Sequence, residues 1–584
     1  MIKLIVSNMK KREFIWLLAI VLFVAVQVWL DLEMPDYMDD ITVMLSGRTA
    51  TVAKVLKSGG MMLLCAIGSA AMSVCVGYLV ARLSSTVSMR VRSKVFGKVN
   101  SFSMNEINGF STASLLTRST NDIFHVQRFV ALGMQALIKA PILAVWAIAK
   151  IATKNWQWTL STGIVIFLLI AMVMILLKWV FPKFRRIQLI TDKLNSVTRE
   201  NLKGVRVVRA YNAEDYQEAK FEKANDDITK TNLFIHSIMS LMSPFMNMLM
   251  SGLGLAIYWI GAVLINGTAD VVAKQSLMGD MVVFQSYSMQ VIMAFMLLIS
   301  IFITLPRTSV AARRINEVLK TDSVIADGHI SSRSIKKSGE LEFRNVGFKY
   351  PDSDEYALKN ISFKAKKGDV VAFIGSTGCG KSTLINLIPR FYDVTEGEIL
   401  INDVNVKDYK LKDLHNKIGY VSQKAVLFSG TVESNITLGD YVKEPTKDDM
   451  ITAIEIAQAK DFVKSHDDLS RAIDQGGLNV SGGQKQRLSI ARAVLRNPEI
   501  CIFDDSFSAL DFETDKKLRN ALNKKLKDTT CLIVAQRIGT IKNADLIIVL
   551  EDGEIVGKGK HDELLKTCEV YKEIALSQLN KEEL

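Results

Sequence analysis

The chain has little of what staples or caps a small secreted fold. Among 584 residues there are only six cysteines (Cys65, Cys75, Cys379, Cys501, Cys531 and Cys568), scattered without a CxxC pair or a Cys/His cluster. That excludes a disulfide scaffold, argues against a zinc site and points to a reducing compartment. No small-residue cleavage site follows the first apolar run, which is about a full span long and so reads as a membrane helix, not a signal peptide. Charge is missing where a soluble chain would carry it: there is none from 155 to 177 or from 281 to 306. With 49% hydrophobic and 23% charged residues and a mean hydropathy of +0.20, the sequence is neither disordered nor one soluble domain. It is also too long for a single core.

Six apolar runs are present, at roughly 14–30, 55–81, 129–149, 156–177, 237–265 and 281–305. All six are long enough to cross ~30 Å of hydrocarbon, for which a helix needs about 20 residues. Six in succession outweigh the alternative of buried helices in a large soluble domain. Through Lys320 there are 34 Lys/Arg against 19 Asp/Glu, and beyond it 38 against 41. The positive excess therefore lies in the apolar half, which suits basic cytoplasmic loops better than nucleic-acid binding. The N-terminal tail with stretches 82–128 and 182–236 holds 22 Lys/Arg, while loops 31–54, 150–155 and 266–280 hold five. The first of these loops is acidic, with Asp31, Glu33, Asp36, Asp39 and Asp40. The positive-inside rule then puts both termini in the cytoplasm. The two inner stretches carry helical patterning; as hairpins with arms of ~22 residues they would reach roughly 30 Å. Lys139, inside the third run beside Pro141, is either a cation facing a cavity or one that snorkels to the surface.

After a polar linker over 307–337, strand and helix signals alternate. A β-branched run, 370–374, leads into Gly375-Ser376-Thr377-Gly378-Cys379-Gly380-Lys381-Ser382 and then an apolar helix. This is the phosphate-binding loop G-x-x-x-x-G-K-[ST], in which backbone N–H groups wrap phosphates, Lys381 reaches the β/γ-phosphates and the Ser382 hydroxyl ligands Mg²⁺. The apolar strand 499–504 ends in Asp504, placed to hold the metal through water. Between these lies Ser481-Gly482-Gly483-Gln484, opening a helix through Arg496 and offering a second anion-binding helix start.

Together these residues resemble the ATP-binding cassette family, and the whole chain resembles an exporter half-transporter of the multidrug type. The resemblance implies a multidomain protein: an all-α six-helix transmembrane domain over 1–320, then an α/β P-loop nucleotide-binding domain over 321–584. It implies ATP and Mg²⁺ as ligands. Tyr350 would stack on adenine; Gly375, Ser376, Thr377, Gly378, Cys379, Gly380, Lys381, Ser382 and Thr383 would surround the phosphates. Ser382, Gln423 and Asp504 would serve the metal. Ser481, Gly482, Gly483 and Gln484 would form the signature that faces a partner's phosphate loop, and Ser508-Ala509-Leu510-Asp511 the D-loop. Segments 106–109 and 209–221 would be coupling helices. The implied partners are a second half-transporter, the lipid bilayer of the inner or plasma membrane and a small hydrophobic or amphipathic substrate, with no nucleic acid.

Two positions depart from that pattern. Asp505 stands where the family has a catalytic Glu, and Gln536, within Val534-Ala535-Gln536-Arg537, stands where it has a His. The shorter carboxylate falls about 1.5 Å short of the attacking water, and a misplacement of about 1 Å can lower a rate on the order of a hundredfold. Glutamine donates a hydrogen bond but cannot share a proton. Gln475 also lies where a Glu often precedes the signature, and Val480 replaces its usual Leu. The expectation is that ATP on this chain is held and hydrolysed slowly, and that the chain forms a heterodimer with a partner keeping the Glu and His. The alternatives are a homodimer with slow hydrolysis, or an ATP-gated channel or regulatory membrane protein. A soluble cassette ATPase acting on DNA or ribosomes is opposed by the six spans. A peptide exporter with its own protease is opposed by the 13 residues preceding the first span. Methionines in the spans suit an adaptable apolar cavity that a drug, a lipid or a hydrophobic peptide would each fit.

Overall fold

The structure is a computed structural model and describes residues 1–47, 50–152, 154–331, 338–441, 444–508 and 510–578. The chain forms two compact units, Met1–Asn100 with Ala113–Thr321, and Ser101–Thr112 with Asp322–Leu584.

The first unit is helical. After the short α1 (Ile2–Ser7) come α2 (Lys11–Ser46) and α3 (Val52–Asn100). The chain leaves this unit for α4 (Met104–Phe110) and returns with α5 (Thr112–Ser119), α6 (Asn121–Arg128), a π-turn at Phe129–Gly133 and α7 (Met134–Ala152). Then follow α8 (Trp156–Trp179), α9 (Phe181–Ala210), α10 (Glu214–Ser240), α11 (Met242–Gly267) and α12 (Val271–Lys320). Among the described residues six helical stretches are long and apolar enough to cross a membrane: Lys11–Ser46, Val52–Asn100, Thr112–Ala152, Trp156–Ile175, Glu214–Gly267 and Val271–Ile299. They coincide with the six apolar runs. The helices outrun the hydrophobic stretches, because at 1.5 Å per residue the 49 residues of α3 extend roughly 70 Å, more than twice a bilayer core. The first expected hairpin arm is therefore a continuation of α3, while the arms of the second, α9 and α10, are separate helices that adjoin the spans. The second hairpin has arms of 30 and 27 residues and turns at Asn212, whose φ of +49° is a left-handed value that asparagine tolerates.

Two expectations need correction. Most of the acidic segment 31–54 is not a loop: α2 runs on to Ser46, so Asp31, Glu33, Asp36, Asp39 and Asp40 are helical. Burial of charge is met by pairing. Lys139 Nζ of α7 lies 3.3 Å from Asp31, and Lys150 Nζ lies 2.5 Å from Asp36 and 3.7 Å from Glu33. Lys154 lies 2.5 Å from Asp280 and 3.8 Å from Asp39. Tyr287 of α12 donates to Asp36 at 2.5 Å, Gln290 donates to the Asp31 carbonyl at 3.1 Å, and Ser69 of α3 donates to the Asp31 carboxylate. Lys139 is thus an ion-paired strut joining α7 to α2. The second correction concerns the linker: 307–320 belongs to α12, and 332–337 lies outside the described residues.

The second unit holds two larger sheets. One is antiparallel, in the order β2 (Leu358–Ala365), β1 (Leu341–Phe348), β4 (Glu396–Ile401) and β5 (Val404–Asn405). The other takes the order β12 (Glu554–Gly559), β11 (Leu546–Glu551), β3 (Val370–Gly375), β10 (Thr530–Val534), β9 (Ile500–Asp504) and β6 (Ile418–Val421). A small pair, β7 (Gly430–Thr431) with β8 (Ala472–Ile473), completes the set. In the six-stranded sheet β11, β3, β10, β9 and β6 are parallel, and β12 is an antiparallel edge. Alternate residues of β3 enter different cores: Ala372 and Ile374 pack with the core holding Leu488 and Phe503, Val371 and Phe373 with the one holding Leu384 and Ile502. Both faces are covered, so these strands are unbroken apolar runs.

Candidate functional site

The phosphate-loop, metal and switch positions are brought together by topology. Parallel strands all end on one edge, where ligands of open α/β sheets bind. Gly375 closes β3 and begins the phosphate loop; Gln423 follows β6; Asp504 ends β9 with Asp505 next; Gln536 follows β10. Four strand ends far apart in sequence thereby deliver one constellation.

Within the loop Gly378 and Gly380 have φ of +91° and +99°. At Gly380 a Cβ would also come within 2.8 Å of Leu358 Cδ2 and 2.9 Å of the Ala357 carbonyl, so glycine is demanded by conformation and by space. The helix Lys381–Leu387 starts immediately after it. Lys381 Nζ is folded onto its own loop, donating to the Gly375 carbonyl at 2.8 Å and the Ser376 carbonyl at 2.7 Å. Cys379 is buried beneath it, with Nζ 3.4 Å from Sγ. The Ser382 hydroxyl donates to Asp504 at 3.2 Å. A hydroxyl and a carboxylate so close are hard oxygen donors of the kind Mg²⁺ takes, and these residues fit that ion. Burial pushes the Asp504 carboxyl above the ordinary aspartate range; the Ser382 bond opposes this and the neighbouring Asp505 charge adds to it. Tyr350 shares a 2.9 Å hydrogen bond with the Thr383 hydroxyl, which sets it beside the phosphate loop.

Asp505 is held by both its backbone and its side chain. Its φ is +46°, its N–H donates to the Val534 carbonyl at 3.0 Å, and it is 9% exposed. One carboxylate oxygen, Oδ2, accepts from Gln536 Nε2 at 2.6 Å and from Gln423 Nε2 at 3.3 Å. The two positions that depart from the family pattern are thus bonded to each other. Register explains it, since β10 and β9 are adjacent, with Val534 opposite Asp504.

Ser481 to Gln484 lie elsewhere on the unit. Ser481 N-caps the helix Gly482–Leu495, accepting from Gln484 N at 3.3 Å while its own N–H donates to Gln484 Oε1 at 3.1 Å. This is a capping box, S-x-x-Q, and it leaves Ser481 and Gly482 exposed at a helix N-terminus. Further along that helix the buried Gln486 donates to the Ser422 carbonyl at 3.3 Å, one residue before Gln423. Asp511 N-caps the helix Phe512–Lys525, accepting from Thr514 N at 2.9 Å, and that backbone bond holds its carboxyl below the ordinary range. Ala509 of the D-loop lies outside the described residues. The Gln486 contact has no signal in the sequence, because its partner Ser422 lies 64 positions away.

Known proteins are similar to the chain over most of its length. A family model described as the ABC transporter transmembrane region matches residues 16–295, and one described as ABC transporter matches 358–508. An uncharacterized ABC transporter ATP-binding protein of Mycobacterium tuberculosis is 38% identical over 542 residues, covering 91% of this chain and 90% of its own. A similarly described protein of Bacillus subtilis is 34% identical, covering 88% and 89%. An ATP-dependent lipid A-core flippase of Pseudomonas fluorescens is 32% identical, covering 84% and 80%.

Proposed function

The chain belongs to the ABC transporter family, and from that premise we propose that it is the slowly hydrolysing half of a heterodimeric ATP-driven exporter. The substrate class is hydrophobic or amphipathic. Relatives named as lipid A-core flippases favour a lipid-like molecule with a polar head over a small polar solute. The cycle is alternating access: ATP draws two cassettes together, the spans turn outward, and hydrolysis at the partner's site resets them.

On this chain Tyr350 receives adenine, and the glycines of 375–380 let backbone N–H groups reach the phosphates. Lys381 exchanges its loop carbonyls for phosphate oxygens. Ser382, Gln423 and Asp504 would hold Mg²⁺, which neutralises phosphate charge when bound. Ser481 to Gln484 and Asp511 face the partner's nucleotide, where the exposed helix start favours negative charge.

The observation that carries the proposal is the Asp505 carboxylate. It is one methylene shorter than a glutamate and has an oxygen already occupied by Gln536 and Gln423. Such a group is a poor general base for water in a reaction that depends on positioning. The test is a pair of variants in the reconstituted heterodimer. Asp505→Asn should leave most transport-coupled ATPase in place, while Glu→Gln at the matching partner position should abolish it. Equal loss from both would refute the asymmetric assignment and leave the exporter assignment standing.

A further inference from the structure

A cationic cluster of the helical unit has no acid to neutralise it. Across 1–30 and 51–105 the sequence contains a single acidic residue, Glu13. That carboxylate is buried and committed to Arg90 of α3, which donates to it twice at 2.8 Å and to the Asn8 carbonyl at 3.0 Å. Two more guanidiniums lie on the same pair of helices. Arg12 of α2 and Arg82 of α3 each hold Cζ 5.1 Å from the centre of the Trp16 ring, and Arg82 donates to the Tyr78 hydroxyl at 3.1 Å. Among the described residues neither of these two arginines reaches a carboxylate.

These side chains sit where a bilayer surface meets the protein. α2 and α3 run antiparallel, as the pairs Glu13–Arg90 and Asp31–Ser69 require, so the start of the first apolar run lies beside the end of the second. Arg12 precedes the run that begins at 14, and Arg82 follows the run that ends at 81. Trp16 and Tyr78 stand one turn further in, the depth at which such rings mark a headgroup layer. Val74, Tyr78 and Arg82 form an exposed line on α3, and Ile15 of α2 is exposed beside Trp16. An acyl chain thus has apolar surface to follow beneath the charges. A guanidinium stacked on an indole keeps its N–H edge free, and that flat fork matches two phosphate oxygens. Holding two like charges on one ring is unfavourable until an anion lies between them. An apolar helix of a second chain is a poor occupant, because it would bury both cations unpaired.

We propose that Arg12 and Arg82, stacked on Trp16, form a binding site for the phosphate headgroup of one anionic phospholipid, whose acyl chains lie along Val74 and Ile15. The orientation expected from the basic stretches puts this site at the inner leaflet, where anionic lipid attracts cations that flank a span. The site uses residues of α2 and α3 alone.

The experiment titrates the full-length chain in detergent with dioleoylphosphatidylglycerol or dioleoylphosphatidylcholine and counts bound lipids by native mass spectrometry. The first phosphatidylglycerol should bind more tightly than the first phosphatidylcholine. Arg12→Gln and Arg82→Gln should each weaken it about fivefold, the factor for one cation beside an anionic lipid, and leave phosphatidylcholine unchanged. Arg92→Gln removes an exposed charge of α3 outside the cluster and should change neither. Glycerol phosphate in large excess carries the anion without acyl chains and should not displace the lipid. Equal binding of the two lipids, or undiminished phosphatidylglycerol binding in both Arg12→Gln and Arg82→Gln, overturns the proposal. An equal loss in Arg92→Gln overturns it too, since it would mark unspecific charge attraction. Displacement by glycerol phosphate would mark a site for a free anion and overturn the assignment to a lipid.

Discussion

At the scale of single residues the decisive contact is Gln536 to Asp505. Restoring the missing methylene tests whether reach is what limits the site. Asp505→Glu in the isolated chain should raise ATP turnover by about ten- to a hundredfold, the inverse of the loss expected for a misplacement of about 1 Å. Phosphate release measures it, and an unchanged rate would show that reach is not the limit. Gly380 offers a different kind of test. Its φ of +99° and the nearby Ala357 carbonyl leave no room for Cβ, so Gly380→Ala should destabilise the loop by about 1–3 kcal/mol and weaken nucleotide binding accordingly. The glycine-lysine spacing of the loop and the residues at 505 and 536 can be read from the sequence motifs alone. That Asp505 and Gln536 share a hydrogen bond cannot be so read, because it depends on β9 and β10 being neighbours although 25 residues separate them.

At the scale of elements, α2 shows how charge can occupy a helix of a membrane unit. Each acidic position from 31 to 39 lies near a lysine of α7 or of the turn after it. Removing one partner leaves the other unpaired. Lys139→Met should therefore lower stability by on the order of 2–3 kcal/mol, read as a fall in unfolding temperature in detergent. Adding Asp31→Asn, whose amide oxygen can still accept from Ser69, should recover most of it, whereas additive losses would contradict the pairing. α4 carries a pH signature. Burial raises the Glu106 carboxyl, but the bonds from Ser103 and Val324 outweigh it and leave it below its ordinary 4.5. Its stabilising contribution is thus full above that value and lost as the pH falls through the lowered one. The unfolding-temperature difference between wild type and Glu106→Gln should hold at neutral pH and shrink only in acid below the ordinary glutamate range. Hydropathy located the spans but not their ends, since it registers the apolar part of α3 and is silent on the polar turns that continue the same helix. The acidic run after residue 30 looked like a loop because its lysine partners lie more than a hundred positions away.

At the scale of the whole molecule, the surplus of basic residues on alternate stretches predicts an orientation that labelling can check. In a cysteine-free background, Asp270→Cys should react with a membrane-impermeant maleimide added to intact cells, and Asn212→Cys only after lysis; the reverse would invert the topology. The order of a helical region followed by a P-loop region was readable from composition and one motif. The exchange of a short piece between the units was not, because its contacts there, such as Asn108 donating to the Tyr392 hydroxyl and Val324 N donating to the Glu106 carboxylate, join positions more than 200 residues apart. The polypeptide passes between its units at 100–101, at 112–113 and again at 321–322. A soluble ATPase fragment cut at 322 would therefore be missing a dozen of its own residues. It would expose the Val324 amide and the Tyr392 hydroxyl to water, and a synthetic peptide spanning 101–112, supplied in trans, would be its natural complement.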